Sequence, residues 1–311
     1  MAVVAQVMAG LPKRVRVVEV GPRDGLQNEP TFVPTEVKIR FIEMLAEAGL
    51  PVVEATSFVS PRWVPQLADA EQVLTSIQRR PGVRYPVLVP NRKGLERALA
   101  AGAREIALFT AASETFCQKN LNRTIEQSLQ EFEQVAREAR QMGLWVRAYI
   151  STAFVCPYEG QIAPQQVLPI VERLLTMEVD EISLGDTIGA AVPTQVARLT
   201  EQLQGILPLE KTAYHFHDTY GMALANVLMA LQMGVATFDS SAGGLGGCPF
   251  APGAAGNLAT EDLLTMLHGM GIETGVEQAK VADAARFILP YLQRSTPPSR
   301  YLQACAMRSE S

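Results

Sequence analysis

Residues 212–240 read TAYHFHDTYGMALANVLMALQMGVATFDS. The opening run, 212–217, is short and apolar, as a strand buried on both faces should be. Residues 220–233 then carry apolar side chains at helical spacing, and 236–240 is a second short strand. A strand, a helix and a strand within about thirty residues is one βα repeat plus the start of the next. The same alternation extends in both directions. Strand candidates are 16–20, 52–56, 83–89, 105–109, 145–151, 180–184, 212–217 and 236–240. Their starts run from 16 to 236 over seven intervals, about 31 residues per unit, the size of a βα unit.

Helices are expected between the strands. Residues 35–48 place Val37, Ile39, Phe41, Ile42, Leu45 and Ala48 near a 3.6-residue period, and Gly49 is a stop. Residues 124–142 begin at Thr124 and end at Gly143, and 193–204 has Pro193 in its first turn. In 260–270, Thr260 reads as an N-cap followed by Glu261 and Asp262 where the helix dipole favours acids. Eight alternating strands predict an α/β fold, a (β/α)8 TIM barrel in a single domain, closed by an extra C-terminal helix at 277–293. The chain then divides into a barrel over 1–293 and a loosely attached tail over 294–311, which contains Pro297 and Pro298. Strand one runs into Gly-Pro-Arg-Asp-Gly, which is neither a dinucleotide fingerprint nor a phosphate loop, so a doubly wound nucleotide fold is disfavoured.

Composition narrows the class. The chain has 311 residues, 48% hydrophobic and 19% charged, with a net charge of −5. That is a globular range without the basic excess of a nucleic-acid binder. No apolar run reaches the length of a membrane span. The N-terminus lacks a positive start before its apolar run, the reverse of a secretory signal. Cys117, Cys156, Cys248 and Cys305 are widely spaced, so neither a disulfide framework nor a structural zinc site is indicated. The expectation is a cytoplasmic protein with reduced thiols, no nucleic-acid partner and no membrane.

Barrel active sites lie where strands end. The polar residues at those ends are therefore informative: Arg23 and Asp24 after the first strand, Glu54 in the second, Asn91 to Lys93 after the third, Ser113 after the fourth, Thr152 after the fifth and Asp186 after the sixth. His215 and His217 lie in the seventh, and a glycine-rich loop, 243–257, comes after the eighth. Residues i and i+2 of a strand point the same way, so His215 and His217 can converge on one ion rather than serve as core histidines. Asp24 and Asn257 are available at neighbouring rim positions. Two imidazoles with carboxylate and amide oxygens suit Mg²⁺ or Mn²⁺, with zinc as an alternative.

The other candidates carry two readings each. Arg23 is a permanent cation suited to a carboxylate or oxyanion, against a turn-capping ion pair with Asp24. Cys248, inside the loop, is a proton donor or nucleophile, against a small apolar filler. Cys117, Cys156 and Cys305 are read as filler and His268 as structural. Glu19 and Glu54 are acids inside apolar strands and need partners. Glu54 can support the metal or Arg23, and Glu19 can meet a barrel-interior arginine such as Arg147. Asp186 is either an active-site acid or a loop cap.

Five stretches carry a family resemblance: Val20-Gly21-Pro22-Arg23-Asp24-Gly25-Leu26-Gln27-Asn28-Glu29, Glu54-Ala55-Thr56-Ser57-Phe58-Val59-Ser60-Pro61, Ser183-Leu184-Gly185-Asp186-Thr187-Ile188-Gly189, His215-Phe216-His217-Asp218-Thr219-Tyr220-Gly221 and Gly244-Leu245-Gly246-Gly247-Cys248-Pro249. Together they resemble the hydroxymethylglutaryl-CoA lyases, a branch of the metal-dependent metallolyase barrels, over roughly 14–290. The resemblance implies a divalent cation on Asp24, His215, His217 and Asn257. It also implies catalytic Arg23 and Cys248, further active-site acids at Glu54 and Asp186, and a supporting Glu261, with Asp24, His215 or a metal-bound water as the catalytic base.

The implied reaction is metal-assisted retro-Claisen cleavage of 3-hydroxy-3-methylglutaryl-CoA to acetyl-CoA and acetoacetate, as in leucine degradation and ketone-body metabolism. The implied partner is a small acyl-CoA, with a homodimer as the expected assembly. Arg92, Lys93 and Lys119 are candidates for the CoA phosphates because they are basic and near the rim. The alternatives are a lyase for a related 3-hydroxyacyl-CoA, a metal-dependent condensing synthase of the same barrel type, and a non-catalytic acyl-CoA-binding module.

Overall fold

A computed structural model of the protein describes residues 10–247, 256–293 and 297–309. The strands are β1 (Arg16–Glu19), β2 (Val52–Val53), β3 (Thr56–Ser57), β4 (Val87–Leu88), β5 (Glu105–Ala111), β6 (Trp145–Ser151), β7 (Val155–Cys156), β8 (Gly160–Gln161), β9 (Glu181–Asp186), β10 (Thr212–Phe216) and β11 (Thr237–Ser240). The helices are α1 (Thr35–Glu47), α2 (Ala70–Ser76), α3 (Arg92–Ala100), α4 (Glu114–Leu121), α5 (Ile125–Gln141), α6 (Pro164–Thr176), α7 (Pro193–Leu203), α8 (Ala223–Gln232), α9 (Thr260–Gly269), α10 (Gln278–Ile288) and α11 (Arg300–Ser309).

Nine strands form one parallel sheet in the order β2-β1-β11-β10-β9-β6-β5-β4-β3. Its two outermost strands are separated in the chain by Glu54 and Ala55 alone. Hydrogen bonding continues across that seam in both directions: Glu54 N donates to Glu19 O at 2.8 Å, and Ala55 N donates to Pro86 O at 2.9 Å. The α/β sheet is thus curled, as expected of a TIM-type fold. The candidate strand at 83–89 shrinks to Val87–Leu88 because Pro86 and Pro90 bound it and have no N–H to give to a ladder. The hairpin β7–β8 was not expected from the strand–helix alternation.

Helices pack their apolar faces on the sheet. α5 starts with a capping box between Thr124 and Gln127 and buries Leu129, Phe132, Val135, Ala136 and Ala139. Each large aliphatic or aromatic side chain so buried stabilises the fold by about 1.5–3 kcal/mol. Thr260 is not the N-cap of α9. Ala259 occupies that position, and the Thr260 hydroxyl donates to Glu19 Oε2 at 2.7 Å.

The tail expected to be loosely attached is held at its start. Ser299 is fully buried, and its N–H donates to Gly243 O at 3.2 Å. Asp262 accepts from the Ser299 hydroxyl and from the N–H groups of Arg300 and Tyr301, anchoring the first turn of α11.

Strand pleat sorts the polar residues. Arg16, Glu54, Arg147, Tyr149, Glu181, Ser183, His215 and Asp239 share the parity that faces the barrel interior. Within it Arg147 pairs with Asp239 at 2.5 Å and with Glu181 at 2.9 Å, and Glu181 also pairs with Arg16. Glu19 has the opposite parity, so the expected contact with Arg147 does not form. Its Oε1 accepts from Gly21 N at 2.8 Å and from Ala242 N at 2.9 Å.

Candidate active site and metal centre

β1 ends at the Gly-Pro-Arg-Asp-Gly stretch, which folds as a single π-helical turn over Gly21–Gly25. The Val20 carbonyl accepts from the N–H groups of Arg23, Asp24 and Gly25, at 3.2, 2.8 and 3.1 Å. Such turns are rare and frequently mark functional sites. Glycine leaves room at position 21, because a Cβ there would sit 2.6 Å from Glu19 Oε1 and displace that carboxylate. The turn delivers two consecutive charged side chains to the rim. Arg23 Nε donates to Glu54 Oε2 at 2.8 Å and its Nη1 donates to Asp24 Oδ1 at 2.6 Å. The guanidinium also lies over the Tyr149 ring, 5.3 Å from its centroid, and the Tyr149 hydroxyl donates to Glu54 Oε2 at 3.1 Å. Arg23 is thereby fixed in direction rather than left to wave in solvent.

Across the rim, His215 and His217 project from β10 and its end, their ring centroids 5.2 Å apart. Asp24, His215 and His217 each offer a donor atom, all within 4.8 Å of one another. Asp24 Oδ2 is 3.8 Å from His215 Nε2. Asn257 joins them: its Nδ2 donates to Asp24 Oδ2 and to Leu245 O, both at 3.0 Å. With the amide so fixed, Asn257 Oδ1 is buried with no partner among the described residues, and so is His217 Nδ1. Orphaned buried acceptors are costly unless something satisfies them. A divalent cation held by these four residues fits the donor set. Asn257 reaches its place because Gly246, at φ +115°, lacks a Cβ that would otherwise lie 2.6 Å from Asn257 Nδ2.

Electrostatics at Asp24 and His217 agree with ligation. Burial pushes the Asp24 carboxyl up, but Arg23, His215 and His217 outweigh it and bring it down to about 2. Burial, with the neighbouring His215, lowers His217 to about 4, so its ring is neutral at pH 7 and offers a lone pair. For His215 burial acts downward, but the hydrogen bond to Asp239 and the charge of Asp24 leave it above its usual value. Glu54 is raised by burial against the pull of Arg23.

Arg23, Asp24, Tyr149, His215 and His217 line a cavity of about 560 Å³. Its other walls include Val59, Leu88, Phe109, Phe116 and Phe132, and Trp63, Asn91, Lys119 and Arg123 also line it. That size and mixture suit an organic ligand with a polar reacting end. Of the proposed phosphate contacts, Lys119 lines the cavity and sits over the Tyr158 ring at 3.8 Å. Arg92 does not line it; it pairs with Glu138 at 2.9 Å. Lys93 does not line it either. Arg123, between α4 and α5 on the connection that also carries Lys119, was missed, because it lies a helix away from the strand end.

Asp186 is the candidate that the geometry leaves outside. It has the parity of Leu184, facing the helices, and its two oxygens accept from Ala190 N and Ala191 N at 3.0 Å each. It caps the loop and does not line the cavity. Glu261 likewise accepts from Gly243 N, through both oxygens, at 2.9 and 3.0 Å. It holds the root of the glycine loop. Cys248 lies outside the described residues, as do 249–255. Its neighbour Gly247 lines the cavity, and the Gly247 carbonyl accepts from Asn28 Nδ2 at 3.3 Å.

The profile of the HMGL-like family matches residues 14–288. The chain belongs to the HMGL-like family. It is 56% identical to the mitochondrial hydroxymethylglutaryl-CoA lyase of Rattus norvegicus over 289 residues, covering 93% of this chain and 89% of that one. The crystal structure of hydroxymethylglutaryl-CoA lyase from Pseudomonas aeruginosa superposes with a TM-score of 0.93 at 48% identity, covering 96% of this chain and 99% of that chain. An HMG-CoA lyase from Acinetobacter baumannii, solved in complex with coenzyme A and 3-methylmalate, matches with a TM-score of 0.90 at 41% identity, covering 94% and 95%. Within this family member, the residues that reasoning from strand ends passed over are Tyr149, Arg147, Ser183 and Asp239. They stand one or more layers below the rim, where the strand-end rule does not look.

Proposed function

We propose that this protein is a hydroxymethylglutaryl-CoA lyase, cleaving 3-hydroxy-3-methylglutaryl-CoA to acetyl-CoA and acetoacetate. One observation carries the reading: the donor atoms of Asp24, His215 and His217 gather within 4.8 Å beside the buried Arg23, on the wall of a ligand-sized cavity. The lyases named above, similar over nearly the whole chain, support the same activity, and the coenzyme A complex of one of them supports an acyl-CoA substrate. The frame is a single (β/α)8 barrel over 1–293, with 294–311 as its C-terminal extension.

Asp24, His215, His217 and Asn257 would hold Mg²⁺ or Mn²⁺, which when bound would supply charge stabilisation for an alkoxide developing at C3. The chain's own residues do the rest. The 3-hydroxyl loses its proton to a base at Asp24 as the C2–C3 bond breaks. The bonding pair passes to C2, leaving acetoacetate and the enolate of acetyl-CoA. Arg23, locked by Glu54 and Asp24, faces the enolate oxygen with a fixed positive charge, which costs no reorganisation during reaction. Cys248 returns a proton to C2. Glu54 acts by holding Arg23, and Lys119 and Arg123 meet the anionic end of coenzyme A.

Free Cys117, Cys156 and Cys305 support a reducing, cytoplasmic setting. Among the described residues no helix is long and apolar enough to cross a membrane. Exposed Val192, Tyr220 and Met222, at the starts of α7 and α8, support a homodimer, which sedimentation velocity tests.

The deciding assay is release of acetyl-CoA from 3-hydroxy-3-methylglutaryl-CoA, within a panel of 3-hydroxyacyl-CoA thioesters, with and without chelator. Chelator-sensitive cleavage is expected. Condensation of acetyl-CoA with a 2-oxo acid instead, without cleavage, would assign the protein to the synthases.

A further inference from the structure

His215 has two ring nitrogens and they face different carboxylates. Nε2 is turned toward Asp24, and Nδ1 lies 3.2 Å from Asp239 Oδ2. The second contact is built into the sheet, since β10 and β11 pair in a register that sets His215 directly beside Asp239. Asp239 is itself held from three sides and is 1% exposed. Arg147 Nη2 donates to its Oδ1 at 2.5 Å, the Ser183 hydroxyl donates to its Oδ2 at 2.9 Å, and His215 approaches that same Oδ2. An ionised carboxylate only accepts, so the imidazole nitrogen facing it carries the hydrogen. The lone pair then belongs to Nε2, on the side of Asp24 and His217.

We propose that Asp239 is a positioning residue of the metal centre, fixing the tautomer and tilt of His215 so that Nε2 points at the ion, while Arg147 and Ser183 lock Asp239 in place. The inference rests on the metal-centre reading above. Carboxylate partners of ligating histidines raise metal affinity by about 10- to 100-fold. Asp239→Asn tests the role well. Arg147 keeps Glu181 at 2.9 Å as a counter-ion, shared with Arg16, so an ion pair remains in the interior. With the amide oxygen kept by Arg147, the amide N–H faces His215 Nδ1 and favours the wrong tautomer.

The experiment is a titration of purified protein with Mn²⁺, followed by electron paramagnetic resonance, with turnover measured across the same Mn²⁺ range. Asp239→Asn should bind Mn²⁺ about 10- to 100-fold more weakly than wild type. Its turnover should recover as Mn²⁺ saturates, with the KM for the thioester unchanged; a merely structural lesion is not rescued by metal. Ser183→Ala should shift Mn²⁺ affinity in the same direction by less, and it carries the test should Asp239→Asn not fold. Wild-type Mn²⁺ affinity in the folded variants would overturn the role of Asp239 while leaving the centre standing. A wild-type protein that binds no Mn²⁺ would overturn both.

Discussion

Two groups of acids in this barrel have opposite chemistry. In the interior, Asp24, Glu54, Glu181 and Asp239 meet arginines and histidines: Arg23, Arg147, Arg16 and His215. Outside the strands, under the helices, Glu19, Asp186 and Glu261 meet backbone N–H groups and a threonine hydroxyl. Burial pushes a carboxyl up, and the outcome depends on what opposes it. Charged partners win for Asp24, brought to about 2, and for Asp239, brought below its usual value. Neutral donors lose, so Glu19 rises to about 7, Asp186 to about 6 and Glu261 to about 8. Glu54 is raised despite Arg23, because burial is complete and Asp24 repels it. The interior acids are therefore held in ion pairs, while the outer acids fasten loops.

That contrast sets the order of expected effects. His217→Ala, which removes an interior donor with no substitute, should abolish stoichiometric Mn²⁺ binding and with it turnover; full metal content by atomic absorption would break the ligand assignment. Arg23→Lys keeps charge but not the fork that spans Glu54 and Asp24, and kcat should fall by about 10²- to 10³-fold. A loss below tenfold in a steady-state assay would show that the fixed guanidinium is dispensable. Cys248→Ala should lower kcat by about 10²-fold with metal content intact. Near-wild-type turnover there would remove the thiol from the proton transfer.

The smallest effect belongs to the outer region. The Glu261 carboxyl sits at about 8 in the folded protein against an ordinary 4.5. The folded state thus keeps a proton that the unfolded chain gives up, and stability is lost as pH rises from about 5 through about 8. Glu261→Gln keeps an acceptor for Gly243 N and does not titrate. Its melting temperature should decline less between about pH 5 and about pH 9 than that of the wild type. Equal declines in calorimetry would place the alkaline loss elsewhere.

Legibility in the sequence followed the same division. The i, i+2 rule that brought His215 and His217 together needed one strand and no knowledge of neighbours. Arg23 and Asp24 were readable because a glycine-flanked turn at a strand end is a local feature. The same parity argument, carried through, would have turned Glu19 and Asp186 away from the interior, since each shares its side with apolar neighbours, Val17 and Leu184. Asp239 was out of reach for another reason. Its contact with His215 depends on the register of two strands joined through a helix, and no local pattern encodes that stagger. The hairpin β7–β8 had a cue in Gly160, at φ +74°, but two-residue strands are too short for periodicity to reveal.

Ser299 joins the chain's last described segment to the glycine loop through the Gly243 carbonyl, and Pro298 packs where a Cβ on Gly244 would approach it to 3.0 Å. Force or trimming applied near the carboxyl end is therefore transmitted to the base of the segment that carries the thiol.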